Sequence, residues 1–258
     1  MKFLRFIMSG EDVSHGIIDQ EKILEVKAPD SDWNAEKIRE TGSNFALDEI
    51  NIISPCLPSK IVCLGLNYRS HAEELNLKMP EVPIIFMKPS TSVIGPGEKI
   101  IYPPQSRRVD YEAELGVVIG RRAHRVQKSE ALNYVFGYTC ANDVTARDKQ
   151  TPDGQWAYAK SFDTFCPLGP VIETEIKNPE ALPIKGLLNG KVVQEATTAD
   201  HLFTVAEIIE YVSGCMTLLP GDVIMTGTPS GIGPFVAGDN FEVNIEGIGS
   251  LNNELVYE

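Results

Sequence analysis

Positive charge is in short supply in this chain: Lys and Arg number 23 against 36 Asp and Glu, a formal net charge of −13. Phosphate recognition needs clustered cations, so nucleic acid and anionic membrane are not expected partners. Cysteine is sparse and unpatterned. Cys56, Cys63, Cys140, Cys166 and Cys215 are odd in number and form no C-x-x-C, which suits reduced core thiols in a cytoplasm. The stretch 1–8 is short and carries Lys2 and Arg5, so it reads as neither a signal peptide nor a membrane span. There is no repeat and no low-complexity tract. The glycine-rich run Gly227-Thr228-Pro229-Ser230-Gly231-Ile232-Gly233 lacks the Lys-Ser/Thr of a phosphate loop, so no nucleotide site is expected there. What remains is ordinary bulk. With 258 residues, 43% apolar and 23% charged, the chain can bury a sizeable core as one large domain or as a small and a larger one.

Residues 1–55 read as a small β-rich unit. Phe3, Arg5 and Ile7 alternate against Leu4 and Phe6, a turn is expected at Gly10-Glu11-Asp12, and 13–18 and 22–26 complete a short meander, with a helical turn over 34–40. The run Ile53-Ser54-Pro55-Cys56-Leu57-Pro58 punctuates the join to the remainder, 56–258. There, short strands are expected at 61–65, 84–87, 169–172, 186–189, 191–193, 223–226 and 240–245. Asn189-Gly190 signals a type I′ hairpin. The clearest helix spans 204–214, with Thr204 and Glu207 placed as a capping box and Val205, Ile208, Ile209 and Val212 as an apolar stripe. Many strands, few helices and no βαβ rhythm predict an α+β, mainly β fold.

The chemistry concentrates in 110–150. Glu112 and Glu114 stand at i and i+2 before the apolar run Leu115-Gly116-Val117-Val118-Ile119. On a strand they share a face, about 7 Å apart at Cα. Two like charges beside a core need a cation between them or a proton on one. Asp143 ends a second apolar stretch, where a neighbouring strand would stop. Three carboxylates without His or Cys make an oxygen-only ligand set that suits Mg²⁺, Mn²⁺ or Ca²⁺ and disfavours a zinc hydrolase. The plain alternative is a solvated strand face with Asp143 capping a helix from Val144; the unbroken apolar flank of the pair argues against it.

Between the first two core strands, His71 and Glu74 lie at i and i+3, one face of a helical turn, in reach of a hydrogen bond that fixes the imidazole tautomer and raises its basicity. A solvated His beside a surface Glu is the alternative. Lys160, between Ala159 and Ser161, reads from its context alone as a snorkelling surface residue. Arg107 and Arg108 could steer an anion, or be ordinary surface.

The motif order G-x-N-Y-x-x-H-x-x-E at 65–74, F-M-K-P-S at 86–90, Y-E-x-E-L-G-V-V-I-G at 111–120, N-D-V-T-A-R-D-x-Q at 142–150, K-S-F-D at 160–163 and M-T-G-T-P-S-G-I-G at 225–233 resembles the fumarylacetoacetate hydrolase family. The similarity runs from about Ile61 to the C-terminus and is nearest the short members: acylpyruvases, oxaloacetate decarboxylases and the isomerase/decarboxylases of aromatic-acid breakdown. The resemblance implies a mixed β-sandwich roll with a small N-terminal domain, usually a homodimer. It implies Glu112, Glu114 and Asp143 as metal ligands, His71 and Glu74 as a dyad on a mobile lid, Lys160 as the cation facing developing negative charge, and Gln150 and Thr228 as substrate contacts. One departure stands out: the larger members have a further acidic ligand ahead of the dyad, and 61–68 offers no equivalent.

The implied activity is Mg²⁺-dependent attack on a 2-oxo acid through an enolate, with hydrolysis of an acylpyruvate-type C–C bond placed first. Oxaloacetate decarboxylation, isomerisation of 2-hydroxyhepta-2,4-diene-1,7-dioate and decarboxylation of 5-oxopent-3-ene-1,2,5-tricarboxylate use the same intermediate. From other classes, a non-catalytic metal- or ligand-binding protein would have no need of the His71–Glu74 pair, and a structural module would show no metal-dependent thermal shift.

Overall fold

A computed structural model describes residues 1–8, 12–29, 32–151 and 155–258. Strand is the dominant secondary structure, in three sheets, and the mainly β expectation is met. The large sheet runs, in spatial order, Glu40–Ala46, Lys22–Val26, Val13–Asp19, Lys2–Ile7, Cys166–Glu173, Val135–Asn142, Ala113–Ile119, Val223–Met225, Ile61–Gly65 and Ile84–Lys88. A five-stranded sheet runs Lys191–Thr197, Pro183–Leu188, Asn240–Ile245, Gly249–Val256 and Ile100–Ile101. A small third sheet joins Thr145–Ala146, Val109–Tyr111 and Gly233–Pro234.

The two larger sheets face each other across one core. Leu115, Val117, Tyr138 and Cys140 of the first meet Ile184, Phe241, Val243, Ile245 and Leu251 of the second, all essentially buried. Each such aliphatic or aromatic side chain contributes about 1.5–3 kcal/mol on leaving water. The strand Ala113–Ile119 is buried on both faces, because Val118, with Phe3, Phe136, Ile172, Val223 and Met225, forms a second cluster on the opposite side. That double burial explains why the stretch 115–119, after Glu114, shows no polar alternation.

The N-terminal strands continue the large sheet: Lys2 pairs with Glu173 and Phe3 with Ile172. The expected meander is present, and the helical turn over 34–40 is a single 3₁₀ turn, Ala35–Lys37, with the Asn34 side chain accepting from the Glu36 N–H. Glu40–Ala46, which its polar sequence hides, and the three-residue Asn51–Ile53 add strands. The turn expected at 10–12 falls largely outside the described residues. Asn189 (φ 49°) and Gly190 (φ 78°) turn the hairpin as expected. The helix Val205–Cys215 carries the full capping box, Thr204 Oγ1 accepting from Glu207 N–H and Glu207 Oε2 accepting from Thr204 N–H. Among the described residues no helix is long and apolar enough to cross a membrane.

Cys56, Cys63, Cys140 and Cys166 are buried free thiols, and burial pushes Cys56, Cys140 and Cys166 up to about 12. They are inert packing residues. Cys215 is exposed.

Candidate metal centre and acid–base cavity

Glu112 does not lie within a strand. It occupies the single residue between Val109–Tyr111, in the small sheet, and Ala113–Ile119, in the large one. The chain changes sheets at that point, and the Glu112 N–H is satisfied by Asn142 Oδ1 at 3.0 Å. Asn142 ends its strand, and Asp143 follows with its N–H on the Glu112 carbonyl at 2.9 Å. This local crossing brings Glu112, Glu114 and Asp143 together, all buried, with one carboxylate oxygen from each within 4.8 Å of the others. No helix begins at Val144; Thr145–Ala146 is a strand and Arg147–Lys149 a 3₁₀ turn.

Cations surround two of the three. Lys160, buried on the short helix Ala157–Lys160, donates to Glu112 Oε2 at 2.9 Å and Asp143 Oδ2 at 2.6 Å. It is no surface lysine, and its sequence neighbours conceal that, because a four-residue helix carries too little pattern to show a buried face. Burial works against the ammonium, but Asp143 and Glu112 outweigh it and hold Lys160 above its ordinary value. Arg147 bonds Glu112 Oε1 and also reaches Asp110 Oδ2 at 2.8 Å and Gln150 Oε1 at 2.6 Å. For Glu112, burial pushes upward, but Lys160, then Arg147 and His71, prevail and hold it well below the carboxylate range. Lys88 lies 2.7 Å from Asp143 Oδ1. Its three hydrogens go to the carbonyls of Val144 (3.0 Å), Lys160 (2.7 Å) and Phe165 (2.8 Å), so the Asp143 contact is Coulombic, with no N–H left to aim at that oxygen.

Glu114 differs from the other two. It makes no ion pair among the described residues; Oε2 accepts the Gly227 N–H at 2.8 Å, and Oε1 is buried with no hydrogen-bond partner. Burial first, then Asp143 and Glu112, push its carboxyl well above the ordinary value. An unsatisfied buried carboxylate oxygen pointing to two others is the deficit a bound cation fills. The all-oxygen donors fit a hard divalent cation.

The site opens into a cavity of about 360 Å³ lined by His71, Glu112, Arg147, Gln150, Lys160 and Thr228 on its polar side. Leu64, Leu66, Leu75, Leu77, Phe86 and Trp156 form its apolar wall. His71, buried on the helix Arg69–Glu74, has Nδ1 3.1 Å from Glu74 Oε2. An ionised carboxylate only accepts, so Nδ1 carries the hydrogen, and in the neutral ring Nε2 is the nitrogen with the lone pair. Glu74 is itself held by the Gly231 N–H at 3.0 Å. Glu114 and Asp143 stand behind Glu112, outside the cavity lining. Arg108 is spent on Asp110, at 2.8 and 3.1 Å, and contributes no free charge for steering.

Sequence reasoning missed Lys88, Arg147 and Asp110. Lys88 had a signal: a lysine closing the apolar run Ile84–Met87 just before a proline is a poor surface residue. Arg147 and Asp110 had none beyond lying inside the motif-rich stretch.

Three β sheets with a buried Glu-Glu-Asp cluster beside a His–Glu pair define a known architecture. Residues 60–256 match the family described as fumarylacetoacetate (FAA) hydrolase, C-terminal, and residues 1–55 match one described as Rv2993c-like, N-terminal. The chain belongs to the fumarylacetoacetate hydrolase family. Among its relatives, the oxaloacetate tautomerase Fahd2a of Rattus norvegicus is 42% identical over 81% of this chain and 70% of that protein. Among solved structures, 5-carboxymethyl-2-hydroxymuconate delta-isomerase from Mycobacterium smegmatis superposes with a TM-score of 0.92 at 38% identity, over all of both chains. 2-Hydroxyhepta-2,4-diene-1,7-dioate isomerase from Mycobacterium marinum gives 0.91 at 38%, over 100% of this chain and 99% of that one.

Proposed function

We propose that this protein is a divalent-metal-dependent enzyme that moves protons on a small 2-oxo carboxylic acid, interconverting keto and enol forms through an enolate. The observation that carries this reading is the His71–Glu74 pair, at 3.1 Å, on the wall of the cavity whose floor is Glu112 and Lys160. Glu112, Glu114 and Asp143 hold the cation, which when bound supplies Lewis acidity toward the 2-oxo oxygen. The cation is Mg²⁺ in this reading, with Mn²⁺ or Ca²⁺ as substitutes of the same hard character.

The chain's own residues do the rest. Glu74 accepts from Nδ1 and orients the ring, so Nε2 takes a proton from the substrate at one atom and returns it at another. Lys160 brings positive charge to the region where the enolate oxygen develops. Arg147, Gln150 and Thr228 offer donors to the substrate carboxylate, and the leucines, Phe86 and Trp156 keep water away from the carbanionic carbon. The tautomerase and isomerase activities of the relatives support proton transfer as the net reaction.

C–C bond hydrolysis of an acylpyruvate, to which the motif order first pointed, is the second reading. It is favoured by the free Nε2 lone pair, which equally activates a water for attack on the distal carbonyl. Oxaloacetate decarboxylation needs only the shared enolate. A homodimer acting in the cytoplasm completes the proposal, by resemblance.

The test is a panel of oxaloacetate (keto–enol exchange and carbon dioxide release followed separately), acetylpyruvate, fumarylpyruvate and a homoprotocatechuate-pathway diacid, each with Mg²⁺ and with chelator. Proton exchange without C–C cleavage supports the first reading, and cleavage of acetylpyruvate or fumarylpyruvate supports the second. Metal-independent turnover refutes both.

A further inference from the structure

Gln194 lies on the strand Lys191–Thr197 of the five-stranded sheet, remote in sequence from every motif of the site, and is buried. Its side-chain amide, from a third strand, ties the Ala113 backbone to the loop 227–233, whose two ends already pair with that segment through Val223–Met225 and Gly233–Pro234. Oε1 accepts the N–H of Ala113, the residue between Glu112 and Glu114, at 2.9 Å. Nε2 donates to Thr228 Oγ1 at 2.8 Å and to the Pro229 carbonyl at 2.9 Å. Both amide hydrogens are therefore used on one loop and the amide oxygen on the metal-ligand strand.

That loop, 227–233, touches the site at three further points. At its start, the Gly227 N–H holds Glu114. Thr228 lines the cavity. At its far end, the Gly231 N–H holds Glu74, the partner of His71. Gly231 has φ +95°, and a Cβ there would fall 2.1 Å from the Val193 carbonyl, so the loop is seated directly on the Val193–Gln194 backbone. An apolar side chain would fill the volume of Gln194 equally well. An amide is needed because three polar groups from two elements must be satisfied at one buried point.

We propose that Gln194 is a positioning residue that pins the middle of loop 227–233, at Thr228 and Pro229, to the backbone between Glu112 and Glu114, and so holds the metal carboxylates and the His71–Glu74 pair in one fixed relation. It touches neither substrate nor cation. The proposal rests on the functional reading above for its effect on turnover, and its decisive readouts need no substrate. The substrate panel on the unaltered protein tests that reading separately.

The experiment uses the full chain with Gln194→Met, of similar volume and without the amide, and Gln194→Asn, which keeps the amide but is one methylene too short to span Ala113 and Pro229. Mg²⁺ is titrated by calorimetry, and amide exchange is followed over 69–75 and 227–233. Gln194→Met is expected to weaken Mg²⁺ binding about 10- to 100-fold, as loss of a group that orients metal ligands does, and to speed exchange in both segments. Gln194→Asn should show the same losses in smaller degree. Where turnover is measured, the Gln194→Met and His71→Ala effects should be non-additive, because one acts through the other. Mg²⁺ affinity and exchange equal to those of the unaltered protein, with only the melting point lowered, would reduce Gln194 to packing and overturn the proposal. If Gln194→Met does not fold, Gln194→Asn decides alone, and unchanged affinity and exchange in it are equally fatal.

Discussion

Replacing Lys160 by Met removes the ammonium that bridges Glu112 and Asp143 at 2.9 and 2.6 Å while keeping most of the side-chain volume. Three buried carboxylates then face one another with Arg147 and Lys88 as the remaining close cations. Removing one partner of a buried ion pair costs about 3–5 kcal/mol, since the charge left behind stays desolvated. At roughly 2–4 °C per kcal/mol for a chain of this size, the metal-free variant should melt about 6–20 °C below the unaltered protein. The deficit has a sign in pH. Glu112, buried and held low mainly by the Lys160 charge, can relieve it by taking a proton once that charge is gone, so the variant should approach the parent in acid and fall further behind toward alkaline pH. Mg²⁺ restores positive charge to the same cluster, so it should raise the melting point of Lys160→Met more than that of the parent. Turnover should still drop about 10²- to 10³-fold, the usual cost of losing one preorganised group at a developing oxyanion. The assay is a thermal melt with chelator and with Mg²⁺ at several pH values. Coincident metal-free melting curves for variant and parent would refute the electrostatic reasoning.

Glu112→Gln, Glu114→Gln and Asp143→Asn should each abolish Mg²⁺-dependent turnover with near-native circular dichroism; full activity in any of them removes that residue from the ligand set. Because Glu114 alone lacks a cationic partner, Glu114→Gln should stabilise the metal-free protein while Asp143→Asn destabilises it, as compared by chelator-treated melts. Residues 71–80 should exchange amide hydrogen quickly without ligand and slowly with an oxalate-like one, since Leu75 and Leu77 are 41% and 50% exposed where they border the cavity; equal rates would refute a closing lid. His15, held down to about 4 by burial and then Arg5, should cost stability as pH falls from roughly 6.5 to 4, where the unfolded chain takes up a proton and the folded one does not; partial exposure limits the size. His15→Gln should lose that part of the pH slope in urea melts.

How much was readable in advance follows from where the pattern was dense. The strands 61–65 and 240–245 and the capped helix were legible because their apolar periodicity or cap chemistry is local. Glu40–Ala46 was not, since its residues are almost all exposed and it is a strand only by pairing with Lys22–Val26. In the site, Glu112, Glu114 and Asp143 declared themselves as carboxylates against apolar flanks. Their convergence, though, depends on a change of sheet at Glu112 that period-two reasoning treats as one straight strand. Lys160 was legible only through the motif resemblance and Gln194 not at all: each is polar in an unremarkable neighbourhood, and only the far-off groups it meets make it matter.

The pairing of Val223–Met225 alongside Ile61–Gly65 has a kinetic meaning. Those strands meet across 162 positions of chain (225 less 63), and the loop that holds Glu114 and Glu74 begins only after the second of them. Closing a loop of that length costs entropy before its contacts repay it, and folds rich in such pairings form slowly. The three carboxylates meet through the adjacent strands Ala113–Ile119 and Val135–Asn142, but the Gly227 N–H that holds Glu114 arrives only with the long-range pairing, so a cation held there would draw on the whole assembled fold.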